Sequence, residues 1–80
     1  MNKRVILFHL AEASEQLRTL VENIKNDPEY EIGTYTAEMS HLYHHLNTAW
    51  NGRGCTDEEH RTATKFDEWR KFPDNSELLL

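Results

Sequence analysis

The feature that most constrains this chain is a helical apolar period in its first third. Between Leu10 and Ile24, apolar residues recur three and four positions apart, and charged residues occupy most of the positions between them. The recurring residues are Leu10, Ala13, Leu17, Leu20, Val21 and Ile24. The pattern ends at Asn26-Asp27-Pro28, because proline disfavours helical geometry in the residue before it. The pattern therefore predicts an amphipathic helix that ends near Asn26.

The stretch just before this helix allows two interpretations. Residues 5–8 read Val-Ile-Leu-Phe, so on a helix they would point to all sides. A short buried strand would suit the β-branched pair, but no other segment of the chain offers a strand to pair with. A helix start that is buried on several sides, for instance by a second subunit, fits the rest of the sequence better. We therefore favour a helix over residues 4–9 and keep the strand as the alternative.

Two further helices are predicted by the same periodicity. The second covers residues 36–50 and ends at Asn51-Gly52-Arg53-Gly54, where a glycine can serve as the C-cap. Its apolar stripe consists of Met39, Leu42, Tyr43, Leu46, Ala49 and Trp50. The third covers residues 56–71 and opens with the capping box Thr56-Asp57-Glu58-Glu59. Its apolar side carries Ala63, Phe66, Trp69 and Phe72.

Three amphipathic helices on short connections predict an all-α fold, a small three-helix bundle. The 80 residues are enough for one domain, which we assign to residues 1–73, with a loose tail over residues 74–80. A chain of this length buries only about 60–65% of its unfolded surface, so self-association is a common source of extra stability. We therefore expect the bundle to be completed by homodimerisation.

Charge and cysteine content narrow the partners and the compartment. The net charge is −5 and the two signs are interspersed, which argues against a nucleic-acid partner. Cys55 is the single cysteine, so no intramolecular disulfide forms, and this suits a reducing compartment. The apolar run over residues 5–8 is shorter than the roughly 7–15 residues of a signal-peptide core and the about 20 of a membrane span. We expect a cytoplasmic protein without a membrane partner.

The most chemically loaded cluster is histidine-rich, with three of the five histidines within five residues of one another. His41 and His45 are one helical turn apart and Glu38 precedes His41 by three, so the three side chains can approach one point. Such a set can bind Zn²⁺, Ni²⁺ or Cu²⁺. The helical angles place His41, His44 and Thr48 opposite the apolar stripe, so we expect the cluster to face solvent. A metal site at Glu38, His41 and His45 is one hypothesis, an ordinary polar helix face is the second, and a partner-binding face is the third.

Other chemistry finds little support in the residues. His9 and His60 fall in the other two helices, and no fourth ligand is positioned for a closed zinc site. Cys55 and His60 are the only close thiol and imidazole pair, without a group that would orient the imidazole. The glycines near residue 52 lack the lysine of a phosphate-binding loop. We therefore predict a protein that is not an enzyme and needs no cofactor, with zinc as the alternative.

Apolar residues that one small bundle cannot bury indicate contacts with another protein. Aromatic residues at helical spacing are most often core, but a small monomer would struggle to bury both the N-terminal run and the leucines at 78–80. The leading expectation is a protein-interaction or adaptor module that forms a homodimer. The interface residues predicted for it are Val5, Leu7, Phe8, Tyr43 and Trp50.

Two segments of the chain are similar to sequences of a known type. Residues 42–51 read Leu-Tyr-His-His-Leu-Asn-Thr-Ala-Trp-Asn, and residues 66–73 read Phe-Asp-Glu-Trp-Arg-Lys-Phe-Pro. Together they resemble a small uncharacterised bacterial protein family. The resemblance covers the middle and end of the chain and implies no activity, so it adds nothing to the functional expectation.

Overall fold

The computed structural model of the chain describes residues 1–74 and Glu77. Within these residues every regular element is helical and no strand occurs, so the all-α prediction is confirmed. The elements are α1 (Lys3–Asn26), α2 (Ile32–Asn51), α3 (Asp57–Thr62) and α4 (Phe66–Trp69). Residues 4–9 belong to α1, which excludes the strand alternative. No helix in this part of the chain has both the length and the apolar character needed to cross a membrane.

The long helices α1 and α2 form an antiparallel hairpin. Near its turn, Asn23 Nδ2 donates to Glu38 Oε1 at 3.0 Å. At the opposite end, the backbone N–H of Asn2 donates to the carbonyl of Arg53 at 2.7 Å. The turn is held by Asp27, whose carboxylate accepts from the backbone N–H of residue 29 at 2.9 Å. α2 begins four residues earlier than predicted because the chain re-enters helical geometry directly after this turn.

The apolar core is small and combines two alanines and a valine with two leucines and one indole. The buried apolar residues are Val5, Ala13, Leu20, Leu42, Ala49 and Trp69. Of the six residues of the predicted apolar period of α1, only Ala13 and Leu20 are buried. The other four, Leu10, Leu17, Val21 and Ile24, are between 39% and 49% exposed. Tyr43 and Leu46 of the predicted α2 stripe are each 41% exposed as well. A single neighbouring helix covers only part of such a wide stripe.

The predicted third helix is split into two short ones. Its start is as predicted, because Thr56 and Glu59 form both bonds of the capping box. The helix stops at Ala63, which adopts left-handed geometry with φ 54°. The chain then restarts as α4, so the predicted continuous helix over residues 56–71 was wrong.

α4 docks against the end of α2 through an indole and two amides. Trp69 is buried, whereas Phe66 and Phe72, which we predicted on the same buried side, are exposed. Asn47 Nδ2 donates to the carbonyl of Arg70 at 2.9 Å, and Asn51 Nδ2 donates to that of Trp69 at 2.9 Å. These bonds satisfy carbonyls at the end of α4 that have no partner within the helix.

The predicted tail lies mostly outside the described residues, as do the leucines at 78–80. Of its seven positions, the structure describes Asp74 and Glu77. The indole N–H of Trp50 donates to Glu77 Oε2 at 3.3 Å, and the backbone N–H of Glu77 donates to the carbonyl of Asp74 at 2.9 Å. The described part of the tail therefore returns toward α2.

Candidate functional site

Four of the five histidines form a continuous chain of ring contacts between three helices. His9 Nε2 lies 3.0 Å from His60 Nε2, and His9 Nδ1 lies 3.1 Å from His45 Nδ1. His45 Nε2 in turn lies 3.1 Å from His41 Nε2. The rings therefore run from α3 through α1 to α2. We call these four residues the histidine chain.

The position of each ring follows from its helix. His9 lies one turn from both Val5 and Ala13, so it occupies the inner side of α1 and is only 7% exposed. His41 and His45 are one turn apart on α2. His60 reaches the inner side because α3 folds back over the start of α1, where Asn2 Nδ2 donates to the carbonyl of Cys55 at 3.0 Å. The residues on α2 alone do not reveal this arrangement.

Neutral rings can satisfy all the hydrogen bonds within the histidine chain. A neutral imidazole carries one N–H donor and one acceptor nitrogen, so four neutral rings satisfy all three contacts and leave one N–H at an end. Burial lowers the pKa of His9 to about 4, and the charges of His60 and His45 act in the same direction. Burial also lowers the pKa of His45, aided by His41, while Glu12 opposes the shift. The rings of His9 and His45 are therefore mainly neutral near pH 7.

The fifth histidine pairs with an arginine that has no counter-charge among the described residues. Arg70 Nη2 lies 2.9 Å from His44 Nδ1, and its guanidinium stands 4.8 Å above the ring centre of Phe66. Burial, followed by the charge of Arg70, lowers the pKa of His44, so the neutral ring accepts the hydrogen bond. Arg70 Nε is buried and has no hydrogen-bond partner in the described part of the chain. None of the ion pairs found among the described residues involves Arg70.

These groups border a common cavity. Its volume is about 230 Å³, and three of the four rings of the histidine chain line it. Among the described residues, the lining is His9, His41, His44, His45, Thr48, Phe66 and Arg70. The cavity thus combines imidazoles, one permanent positive charge and an aromatic wall. None of these described lining residues carries a carboxylate. We call it the histidine cavity.

The predicted metal set is not brought together. Glu38 accepts from Asn23 on the turn side of the hairpin, whereas His41 and His45 meet each other farther along α2. In the part of the chain that the structure describes, no group of three or more histidine, cysteine, aspartate or glutamate side chains is arranged to hold a metal ion. The expectation of a solvent-facing cluster was also wrong in part. His41 is exposed, but His44 and His45 are half-buried and Thr48 is 2% exposed, because α4 packs over this side of α2.

A second candidate surface lies along the exposed apolar stripe of the hairpin. On α1 its residues follow spacings of three and four, as in a heptad repeat interrupted by Ser14. The helical angles of the exposed α2 residues place them on the same side of the hairpin. We define the outer apolar face as Leu7, Leu10, Leu17, Val21, Ile24, Ile32, Tyr35 and Leu46, all between 37% and 74% exposed.

The predicted interface residues are distributed over different environments. Val5 is 0% exposed, so it belongs to the core of the hairpin and its prediction as an interface residue was wrong. Leu7 lies on the outer apolar face. Phe8 is exposed but packs edge-on against His9 and His60. Tyr43 packs against Phe72, with ring centres 5.2 Å apart. Trp50 is half-buried under Arg53, whose guanidinium is 4.0 Å from the ring centre.

Cys55 does not form the thiol and imidazole pair that its spacing allowed. His60 contacts His9 instead. Burial raises the pKa of the Cys55 thiol, and the charges of Glu59 and Asp57 raise it further. The thiol is therefore less reactive than an ordinary free cysteine near neutral pH.

Comparison with protein-family models, with curated proteins and with solved structures gave no match. The functional evidence thus consists of the outer apolar face, the histidine chain and the histidine cavity. The first is a large apolar surface suited to a macromolecule. The other two are small, and they lie where α3 and α4 meet the hairpin.

Proposed function

We propose that this chain is a small protein-interaction module that forms a homodimer through the outer apolar face. The observation that carries the proposal is the alignment of eight large, exposed apolar side chains along one side of the α1–α2 hairpin. Two hairpins placed face to face would bury these side chains in a four-helix arrangement, a common solution for amphipathic helices.

The size of the face supports a second copy as its occupant. The exposed parts of its side chains amount to roughly 700 Å² on each copy, close to the about 800 Å² per partner of a standard stable interface. A typical monomer exposes patches of only about 300–600 Å². The core of one hairpin is small, so burial of this face would add a large share of the apolar contacts that a short chain otherwise lacks.

The spacing on α1 supports helix packing as the mode of contact. Residues at intervals of three and four form a straight seam that a second helix can pack against. Arg18 and Lys25 border the seam on its solvent side, which matches the polar rim of protein interfaces. Within this proposal the protein acts in the cytoplasm, consistent with the free thiol of Cys55, and its role is binding rather than catalysis.

The direct test is the molar mass in solution between about 1 and 100 µM, because dimerisation depends on protomer concentration. We expect a dimer mass for the wild-type chain. Leu17→Lys combined with Val21→Lys places two charges on the face and should yield a monomer that keeps its helical circular dichroism. Thr19→Lys combined with Asn26→Lys adds the same charge at exposed polar positions of α1 and should leave the dimer intact.

A monomer mass for the wild-type chain at the highest concentration would overturn the proposal. Equal loss of the dimer in both double variants would show that added charge, rather than the outer apolar face, controls the assembly.

A further inference from the structure

We propose that the histidine cavity binds a small monocarboxylate with a compact apolar body, held by the guanidinium of Arg70. This binding site goes beyond the proposed dimer and does not depend on it, because the histidine cavity and the outer apolar face are formed by different residues.

The first argument is the unbalanced charge of Arg70. Its side chain is half-buried, and among the described residues its guanidinium contacts the neutral ring of His44 and the aromatic ring of Phe66. A charge removed from water is normally paired with an opposite charge. Nε is buried and no described residue accepts from it, although guanidinium donors are adapted to carboxylates in a two-bonded fork. A carboxylate in the cavity would supply both the missing counter-charge and the missing acceptor.

The second argument concerns the valence and polarity of the ligand. Arg70 is the one permanent charge among the described lining residues, so a single negative charge is matched and a dianion such as phosphate is not. Phe66 and the flat sides of the imidazoles offer an apolar wall to the body of the ligand. A metal ion is disfavoured by the charge of Arg70 and by the absence of a three-ligand group among the described residues.

The third argument is the size and donor content of the cavity. At about 230 Å³ it is smaller than the roughly 300–1,000 Å³ of common ligand pockets, so it suits a ligand of the size of benzoate. The histidine chain has one N–H more than its three contacts use, and this N–H lies at an end of the chain. When that end is His41, which lines the cavity, it can serve as a second donor to the carboxylate.

The test is a titration with benzoate, acetate and inorganic phosphate, followed by NMR of the histidine and phenylalanine ring signals. We expect saturable benzoate shifts at the rings of His41, His44, His45 and Phe66, with acetate and phosphate binding more weakly. Arg70→Gln should weaken benzoate binding at least about tenfold, since it removes a charged hydrogen-bond donor. Arg61→Gln changes an exposed arginine, paired with Glu58 at 3.6 Å, and should bind like the wild type.

Three results would overturn the proposal. The first is the absence of ring shifts at about 10 mM benzoate, a concentration at which even weak complexes of about 1 mM Kd are saturated. The second is unchanged affinity in Arg70→Gln. The third is a response of the same rings to micromolar zinc without any response to benzoate, which would indicate a metal site. If circular dichroism shows that Arg70→Gln does not fold, Arg70→Lys replaces it. That variant keeps the charge but loses the fork, and unchanged affinity in it counts equally against the proposal.

Discussion

The two long sides of α1 contrast in a way that reverses ordinary expectation. The inner side, which packs against α2, carries Val5, His9, Ala13 and Leu20. The outer side carries five large aliphatic residues, and all of them are substantially exposed. The inner side thus carries fewer large aliphatic residues than the outer side. It is also more polar, because a histidine lies at its centre. The outer side has the composition of a protein core, but no described helix of the same chain packs against it.

This contrast indicates that apolar content and burial are separate properties of a helix face. The inner side brings α1 close to α2 with small residues, which leaves room for a ring contact between His9 and His45. A buried polar ring is tolerated when its hydrogen bonds are satisfied, and such contacts specify one arrangement of the helices. The inner side therefore fixes geometry, whereas the outer side offers area for association.

The largest expected change in stability comes from comparing a leucine on the inner side of α1 with one on the outer side. Leu20→Ala removes a buried leucine and should lower the free energy of unfolding by about 2–4 kcal/mol. Leu17→Ala, three residues earlier on the outer side, should cost less than about 1 kcal/mol at concentrations where the chain is monomeric. Urea unfolding followed by circular dichroism measures both values. Equal losses at low concentration would mean that the outer side is buried within the monomer.

The pH dependence of the free energy of unfolding should depend on His9, on the inner side of α1. Folding lowers the pKa of His9 from 6.5 to about 4. Between these two pH values the His9 ring therefore binds a proton in the unfolded chain but not in the folded chain. Stability should therefore be full above pH 6.5 and decline by up to about 3 kcal/mol as pH falls to about 4. The pKa of Glu59 falls from 4.5 to about 2, so its contribution is lost only below pH 4.5.

His9→Asn is the variant that tests this assignment. It removes the titrating ring from the inner side and should flatten the decline between pH 6.5 and 4 while lowering stability at neutral pH. Urea unfolding at several pH values supplies the comparison. A decline that persists unchanged in His9→Asn would assign the dependence to other groups.

A third pair tests how closely α4 approaches the hairpin. At Gly52 an added Cβ would lie 2.9 Å from the carbonyl oxygen of Thr48 and 3.4 Å from the ring of Trp69. Gly52→Ala should therefore displace backbone or indole and cost about 1–3 kcal/mol. Gly54→Ala meets no atom within 4 Å and should be close to neutral. Thermal unfolding of the two variants measures the difference, and a neutral Gly52→Ala would show that both the Thr48 carbonyl and the Trp69 ring have room to move away.

The smallest effect should come from the start of α3. Thr56→Ala removes the side-chain oxygen that accepts from the N–H of Glu59 at 3.1 Å and should cost about 1 kcal/mol. Thr64→Ala, at an exposed position, serves as the control. Because α3 carries His60, amide exchange in α3 and the His60 ring signal should respond together. A response of the amides alone would mean that the contact with His9 does not depend on α3.

Local signals in the sequence were sufficient for most helix ends. Pro28 ended α1, and Thr56 with Glu59 opened α3, because caps and proline act within one turn. Ala63 was missed as the end of α3, since alanine has no local preference for left-handed geometry. The split of the third helix follows from the docking of Trp69 and its neighbours, which involves residues far apart in the sequence.

The candidate site was less predictable for the same reason. The angles on α2 brought His41 and His45 together correctly, because that contact lies within one helix. The partners of His45 and His60 both depend on His9, which belongs to another helix. The pattern on α1 also could not distinguish Leu20 from Leu17, because each is apolar and the choice depends on where α2 packs. An isolated histidine at the inner register of α1 was the one available signal for the histidine chain.

The contacts of Asn2 have a consequence for the order in which the chain folds. Its side chain caps α1 by accepting from the N–H of Val5 and also donates to Asp57 Oδ1 at 2.8 Å, across 55 positions of sequence. Direct closure of so long a loop is entropically costly, whereas the five-residue turn between α1 and α2 closes readily. We therefore expect the hairpin to form first and the Asn2 contacts last. Because these contacts draw α3 over α1, His60 should join the histidine chain only in the final folding step, and it should be the first ring to leave when the chain unfolds.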